Sequence, residues 1–102
     1  MPFGLSDLQF EKMIHVFAAN KEVNEVILYG SRAKESYKQY SDIDITLLGD
    51  GITFSVLQKI EIELDDLFLP YKFDVSLYHS IENPDLVNHI QSVGKTIYKK
   101  EL

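Results

Sequence analysis

Asp42-Ile43-Asp44-Ile45-Thr46-Leu47 alternates polar and apolar side chains with period two, and no other stretch limits the fold as strongly. Successive side chains of a β-strand point to opposite faces, so Ile43, Ile45 and Leu47 enter a core while Asp42 and Asp44 share the other face. Two further runs fit the same sheet. Val26-Ile27-Leu28-Tyr29 is short and apolar and stops at Gly30-Ser31, which predicts a buried strand ending in a turn. Phe73-Asp74-Val75-Ser76-Leu77-Tyr78 alternates again as a third strand, and Thr96-Ile97-Tyr98 suits a last short edge strand.

Between the strands lie helical signals. Ser6 followed by Gln9 reads as a capping box with Leu5 and Phe10 as a hydrophobic staple, and predicts a helix from about Asp7 to Asn20. The polar segment from Ser31 to Tyr40 leaves room for a short helix and a loop. Gly49-Asp50-Gly51 is turn chemistry, after which Val56, Leu57, Ile60, Leu64, Leu67 and Phe68 recur at helical spacing. That predicts a second long helix from Thr53 to Leu67, with Glu61, Glu63, Asp65 and Asp66 on a solvated face. Asn83 and Pro84 suit the N-cap and first position of another helix, and Gly94 its C-terminal cap. The predicted fold class is α/β (α+β): one domain over residues 1–102 with helices covering a sheet.

The 102 residues, 45% of them hydrophobic, suffice for one modest core and leave little area for a deep two-walled cleft. A large ligand therefore meets a partner surface as well, and a homo- or hetero-oligomer is expected. No apolar run reaches the roughly 18 residues needed to cross a bilayer. Met1-Pro2-Phe3-Gly4 lacks the regions of a signal peptide, so a cytoplasmic protein without membrane contact is expected. The absence of cysteine removes disulfides, thiolate zinc sites and a cysteine nucleophile together. A net charge of -6 repels nucleic acid phosphates and argues against direct nucleic acid binding. It does not argue against a nucleotide, because a divalent cation reverses the sign around a carboxylate cluster.

Gly30-Ser31, ten residues, then Asp42-x-Asp44 is the most specific spacing in the chain. By average residue usage it arises by chance about once per thousand such chains, which makes it stronger than a lone glycine motif. Carboxylates forced together on one strand face repel by roughly a few kcal/mol, and a divalent metal converts that repulsion into ligation. Magnesium is the natural candidate. If the third strand adjoins the second, Asp74 joins Asp42 and Asp44 as a triad. Gly30 lets phosphate approach the backbone while amides and the Ser31 hydroxyl donate hydrogen bonds. Arg32 either binds phosphate through two parallel hydrogen bonds or is a solvated charge, and Lys34 is a weaker case of the same kind. His15, His79 and His89 are far apart and show no ligand spacing, and His15, Tyr37 and Lys95 read more readily as structural.

Gly30-Ser31-Arg32-Ala33 followed by Ser41-Asp42-Ile43-Asp44-Ile45, with Asp74 on a later strand, resembles the minimal nucleotidyltransferase (MNT) branch of the DNA polymerase β-like superfamily. The likeness spans nearly the whole chain. It implies a mixed twisted sheet with helices packed on one side and two Mg2+ ions held by Asp42, Asp44 and Asp74. Triphosphate, ATP by expectation, is implied at Gly30-Ser31. Asp42 and Asp44 would ligate both metals, and Asp74 would complete the one that activates an acceptor hydroxyl. The resemblance also implies an antitoxin that adenylylates a tyrosine of a HEPN-domain toxin. Two other readings remain open at this level: a noncatalytic antitoxin acting by contact, and a transferase modifying a small molecule such as an aminoglycoside.

Overall fold

The computed structural model describes residues 2–101; Met1, the first residue of the segment read for a signal peptide, and Leu102 lie outside the described residues. The elements follow in the order α1 (Asp7–Ala19), β1 (Glu25–Tyr29), α2 (Gly30–Ala33), β2 (Ile43–Leu48), α3 (Phe54–Asp65), β3 (Phe73–Leu77), α4 (Pro84–Val93) and β4 (Lys95–Lys99). Short 3-10 turns precede α1 and follow β3.

The capping box forms as the sequence predicts. Ser6 Oγ accepts the Gln9 amide at 3.1 Å and Gln9 Oε1 accepts the Ser6 amide at 3.0 Å, an arrangement that stabilises a helix start by about 1 kcal/mol. Thr53 caps α3 through Val56 N–H, and Asn83 caps α4 through Asp85 N–H with Pro84 in the first turn. The α3 helix stops at Asp65, short of the predicted Leu67. Phe68 then takes a left-handed conformation (φ 54°) and leaves the apolar stripe, 87% exposed. Glu63 departs from the solvated face. It accepts a hydrogen bond from buried Asn20 at 2.8 Å and pairs with Lys59, tying the end of α1 to α3.

The four strands form one mixed sheet in the order β3-β2-β1-β4. β1 pairs antiparallel with β2 and with β4, whereas β2 and β3 run parallel, joined by the α3 crossover that a parallel pair requires. Alternation sorts the side chains as expected. Val26 and Leu28 of β1 and Ile43, Ile45 and Leu47 of β2 are buried against Met13 and Phe17 of α1 and Ile60 and Leu64 of α3. The two long helices thus cover one face. α4 lies against the other: His89 packs on Tyr29, and Gly94 at its end fits so closely against Ile27 that a Cβ there would collide with it. On this second face Asp74 is exposed and Asp44 half-buried, whereas Thr46 is fully buried.

Candidate active site

Strand register aligns the polar face in two rows. Tyr29, Asp44 and Asp74 are direct partners across β1, β2 and β3, and Ile27, Thr46 and Ser76 form the next row. Asp44 and Asp74 therefore stand on adjacent strands, with backbones about 4.8 Å apart. Asp42 immediately precedes β2, two residues from Asp44, and its charge reaches Asp44. Burial holds the Asp44 carboxyl above the usual carboxylate range, and the charges of Asp74 and Asp42 push it further the same way, opposed more weakly by His89 and Arg32. The three carboxylates predicted from the spacing are thus brought to one place.

They do not close around a point. Among the described residues no three His, Asp or Glu side chains form a preformed metal cage. Like charges hold one another apart, and Asp42 and Asp74 are exposed. The donor set nevertheless fits a hard divalent cation: three carboxylates, mutually repelling, beside a backbone turn.

That turn is shaped by the carboxylate. Gly30 has a positive φ of 73°, and a Cβ at that position would run into Asp44 Oδ2. The sequence reading assigns the missing side chain to phosphate approach; in the structure it is Asp44 that needs the space. The Gly30 amide is also engaged, donating to His89 Nε2 at 3.1 Å. Ser31 remains half-buried at the site. Gly30→Ala is expected to lower stability by about 2 kcal/mol through left-handed strain and the collision, and to reduce activity about 10²-fold by displacing Asp44. Urea unfolding and turnover check this; wild-type activity in that variant would show that Asp44 does not require the close approach.

Tyr29 forms the floor beside the carboxylates. Burial raises its phenol above the ordinary value; nearby Ser76 tempers this, and the Asp74 and Asp44 charges add to it. The approach to Ser76 stops short of a formed hydrogen bond, since Ser76 Oγ is a buried polar atom without a partner.

Arg32 corrects the sequence reading. Instead of a phosphate-binding fork or a solvated charge, it is 1% exposed. Its Nε and Nη2 both donate to the Ser41 carbonyl, at 3.1 and 2.8 Å, and Nη1 donates to the Phe3 carbonyl at 2.9 Å. The guanidinium lies 4.5 Å from the Tyr71 ring centroid and 5.3 Å from that of Tyr37. Two donors of the fork are used, but they converge on a single oxygen, the carbonyl of the residue before Asp42. Arg32 thus fastens the loop that delivers Asp42, with the Tyr37 ring beside its guanidinium. Sequence reasoning missed His89, whose link to Gly30 spans 59 residues and leaves no local spacing.

A family model described as polymerase beta, nucleotidyltransferase matches residues 11–101. The chain belongs to this nucleotidyltransferase family. The match runs through every strand and all three aspartates, and membership supports nucleotidyltransferase activity. No functionally curated protein matches the sequence. Among solved structures, this nucleotidyltransferase domain is similar to a chain of a toxin–antitoxin complex with AMP-PNP (TM-score 0.73, 20% identity, covering 90% of this chain and 74% of that one). It is similar also to a chain of the tri-AMPylated Shewanella oneidensis HEPN toxin in complex with MNT antitoxin (TM-score 0.69, 19% identity, 94% and 74% covered). A third such chain comes from the toxin–antitoxin MntA–HepT (TM-score 0.67, 20% identity, 93% and 74% covered). At these identities the likeness shows the fold. Among the described residues no helix is long and apolar enough to cross a membrane.

Proposed function

We propose that this nucleotidyltransferase moves AMP from ATP to a tyrosine hydroxyl of a HEPN-domain toxin and is thereby its antitoxin. The observation that carries the reading is the row of Asp44 and Asp74 in register, with Asp42 two residues away and the Gly30-Ser31 turn pressed against Asp44. Three carboxylates that destabilise one another have a physical purpose only if something positive joins them. Support for the acceptor comes from solved structures of the same fold, one holding an AMPylated HEPN toxin and another AMP-PNP.

In this reading Asp42, Asp44 and Asp74 hold Mg2+, two ions by expectation. The metal, when bound, supplies Lewis-acid polarisation of the phosphoryl oxygens and neutralises the charge of the departing pyrophosphate. Ser31 donates its hydroxyl and amide to the triphosphate. Asp74, exposed at the outer strand, faces the acceptor and draws off its proton as the hydroxyl oxygen attacks the α-phosphorus. One P–O bond forms to the acceptor, and the bond to pyrophosphate breaks.

The test incubates the chain with its cognate partner, Mg2+ and each of four labelled nucleoside triphosphates in turn. Label from ATP on the partner, lost on chelation of the metal, is the expected result. A tight complex with no label from any triphosphate would refute the catalytic reading.

A further inference from the structure

We propose that His89 is a positioning residue of this site: by accepting the Gly30 N–H it latches the turn that presents Ser31 beside Asp44. The inference rests on reading Gly30-Ser31 as the triphosphate turn. Gly30 has no side chain with which to anchor itself; its left-handed backbone lies against Asp44, and its carbonyl accepts the Lys34 amide at 3.1 Å, which leaves the N–H to be held from elsewhere. The anchor comes from α4, where Nε2 of His89 lies 3.1 Å from the Gly30 nitrogen.

The ring cannot drift from that pose without disturbing the site. It stands edge-on to Tyr29, centroids 6.1 Å apart at 81°, and Tyr29 shares a strand row with Asp44 and Asp74. The helix is fixed in turn by buried Ile90, one residue further on, and by the close seat of Gly94 on Ile27. The last helix therefore serves as the outer brace of the turn. A second consequence follows for the phosphate contacts. With the Gly30 amide committed to His89, that amide is not free for the triphosphate, and the Ser31 hydroxyl and amide take the contact.

The test compares His89→Ala and His89→Gln in the full chain, Gln being chosen because its side-chain carbonyl oxygen can accept the same hydrogen bond. Amide hydrogen exchange at Gly30 is expected to accelerate about tenfold in His89→Ala and to return toward the wild-type rate in His89→Gln, as the loss and recovery of one hydrogen bond require. Exchange at Leu28 and Ile45 should not change. With the cognate partner as acceptor, the KM for ATP should rise about tenfold in the Ala variant with kcat within a few-fold, and recover in the Gln variant. Unchanged Gly30 exchange in His89→Ala overturns the latch, as does a fall in kcat at constant KM, which would place His89 at the reacting atoms. If the wild type transfers no nucleotide yet Gly30 exchange responds as stated, the latch stands and the assignment of the turn to triphosphate fails.

Discussion

Asp44→Asn should abolish nucleotide transfer, lowering turnover by at least about 10³-fold, equivalent to roughly 4 kcal/mol of transition-state stabilisation, while making the metal-free protein more stable. The two effects have one cause. Asp44 sits half-buried with Asp74 as its register partner and Asp42 two residues away, so its ionised form is disfavoured in the fold. A carboxyl whose folded-state pKa lies above its unfolded value keeps its proton in the fold at a pH where the unfolded chain has released it. Folding is therefore unaffected by this group below pH of about 4 and loses stability as pH rises through the folded pKa. Asparagine removes that loss. A gain of about 1 kcal/mol at neutral pH, discounted for partial exposure, corresponds to roughly 4–8 °C in Tm. Mg2+ should raise the Tm of the wild type by mass action and leave the variant nearly unmoved. Thermal scans with and without the metal check this. A variant no more stable than the metal-free wild type would show that the carboxylates do not repel as argued.

Arg32→Ala is expected to lower stability by about 4 kcal/mol, a large part of the 5–15 kcal/mol typical of a domain. Truncation removes the largest fully buried side chain, strips the Tyr37 and Tyr71 rings of their cation, and leaves the Ser41 and Phe3 carbonyls unpaired. The only ion pair among the described residues joins Lys59 to Glu63, so the guanidinium charge is balanced by carbonyl dipoles and ring faces, which no neutral residue reproduces. Arg32→Lys should recover only a small part, because an ammonium cannot present a fork to Ser41 while reaching Phe3. The urea midpoint at constant m value measures both. A variant as stable as the wild type but unable to bind MgATP would return Arg32 to the phosphate-binding role that its place after Gly30-Ser31 suggests.

The contrast between Arg32 and Asp44 shows what the sequence carries. Period-two alternation reports which face a side chain takes, and so it puts Asp42 and Asp44 together; that Asp74 joins them depends on β3 pairing with β2, which the register supplies. Capping at Ser6 and Asn83 is local chemistry within three residues and is legible in the sequence, whereas the α3 cap falls on Thr53, which the periodicity counts as the first helical residue. Partners distant along the chain leave no such trace. Arg32 reaches back 29 residues to Phe3, Asn20 reaches forward 43 to Glu63, and Gly30 meets His89 59 residues on. Each of these contacts is set by how the helices and the amino-terminal segment settle on the sheet, so a basic residue beside a glycine turn read as a ligand contact when its fork is spent on the backbone. The placement of α4 on the second face has the same origin: Asn83, Pro84 and Gly94 mark where the helix starts and stops, not what it packs against.

In the proposed function the carboxylate row performs transfer to a partner protein. Intact mass spectrometry of the cognate HEPN-domain partner, after incubation with ATP, Mg2+ and either wild type or the Asp42→Ala, Asp44→Ala double variant, tests it most directly. A gain of one AMP moiety for each modified hydroxyl is expected with the wild type and none with the double variant. An unmodified partner held in a tight complex by the wild type, or the same mass gain with both proteins, would contradict it.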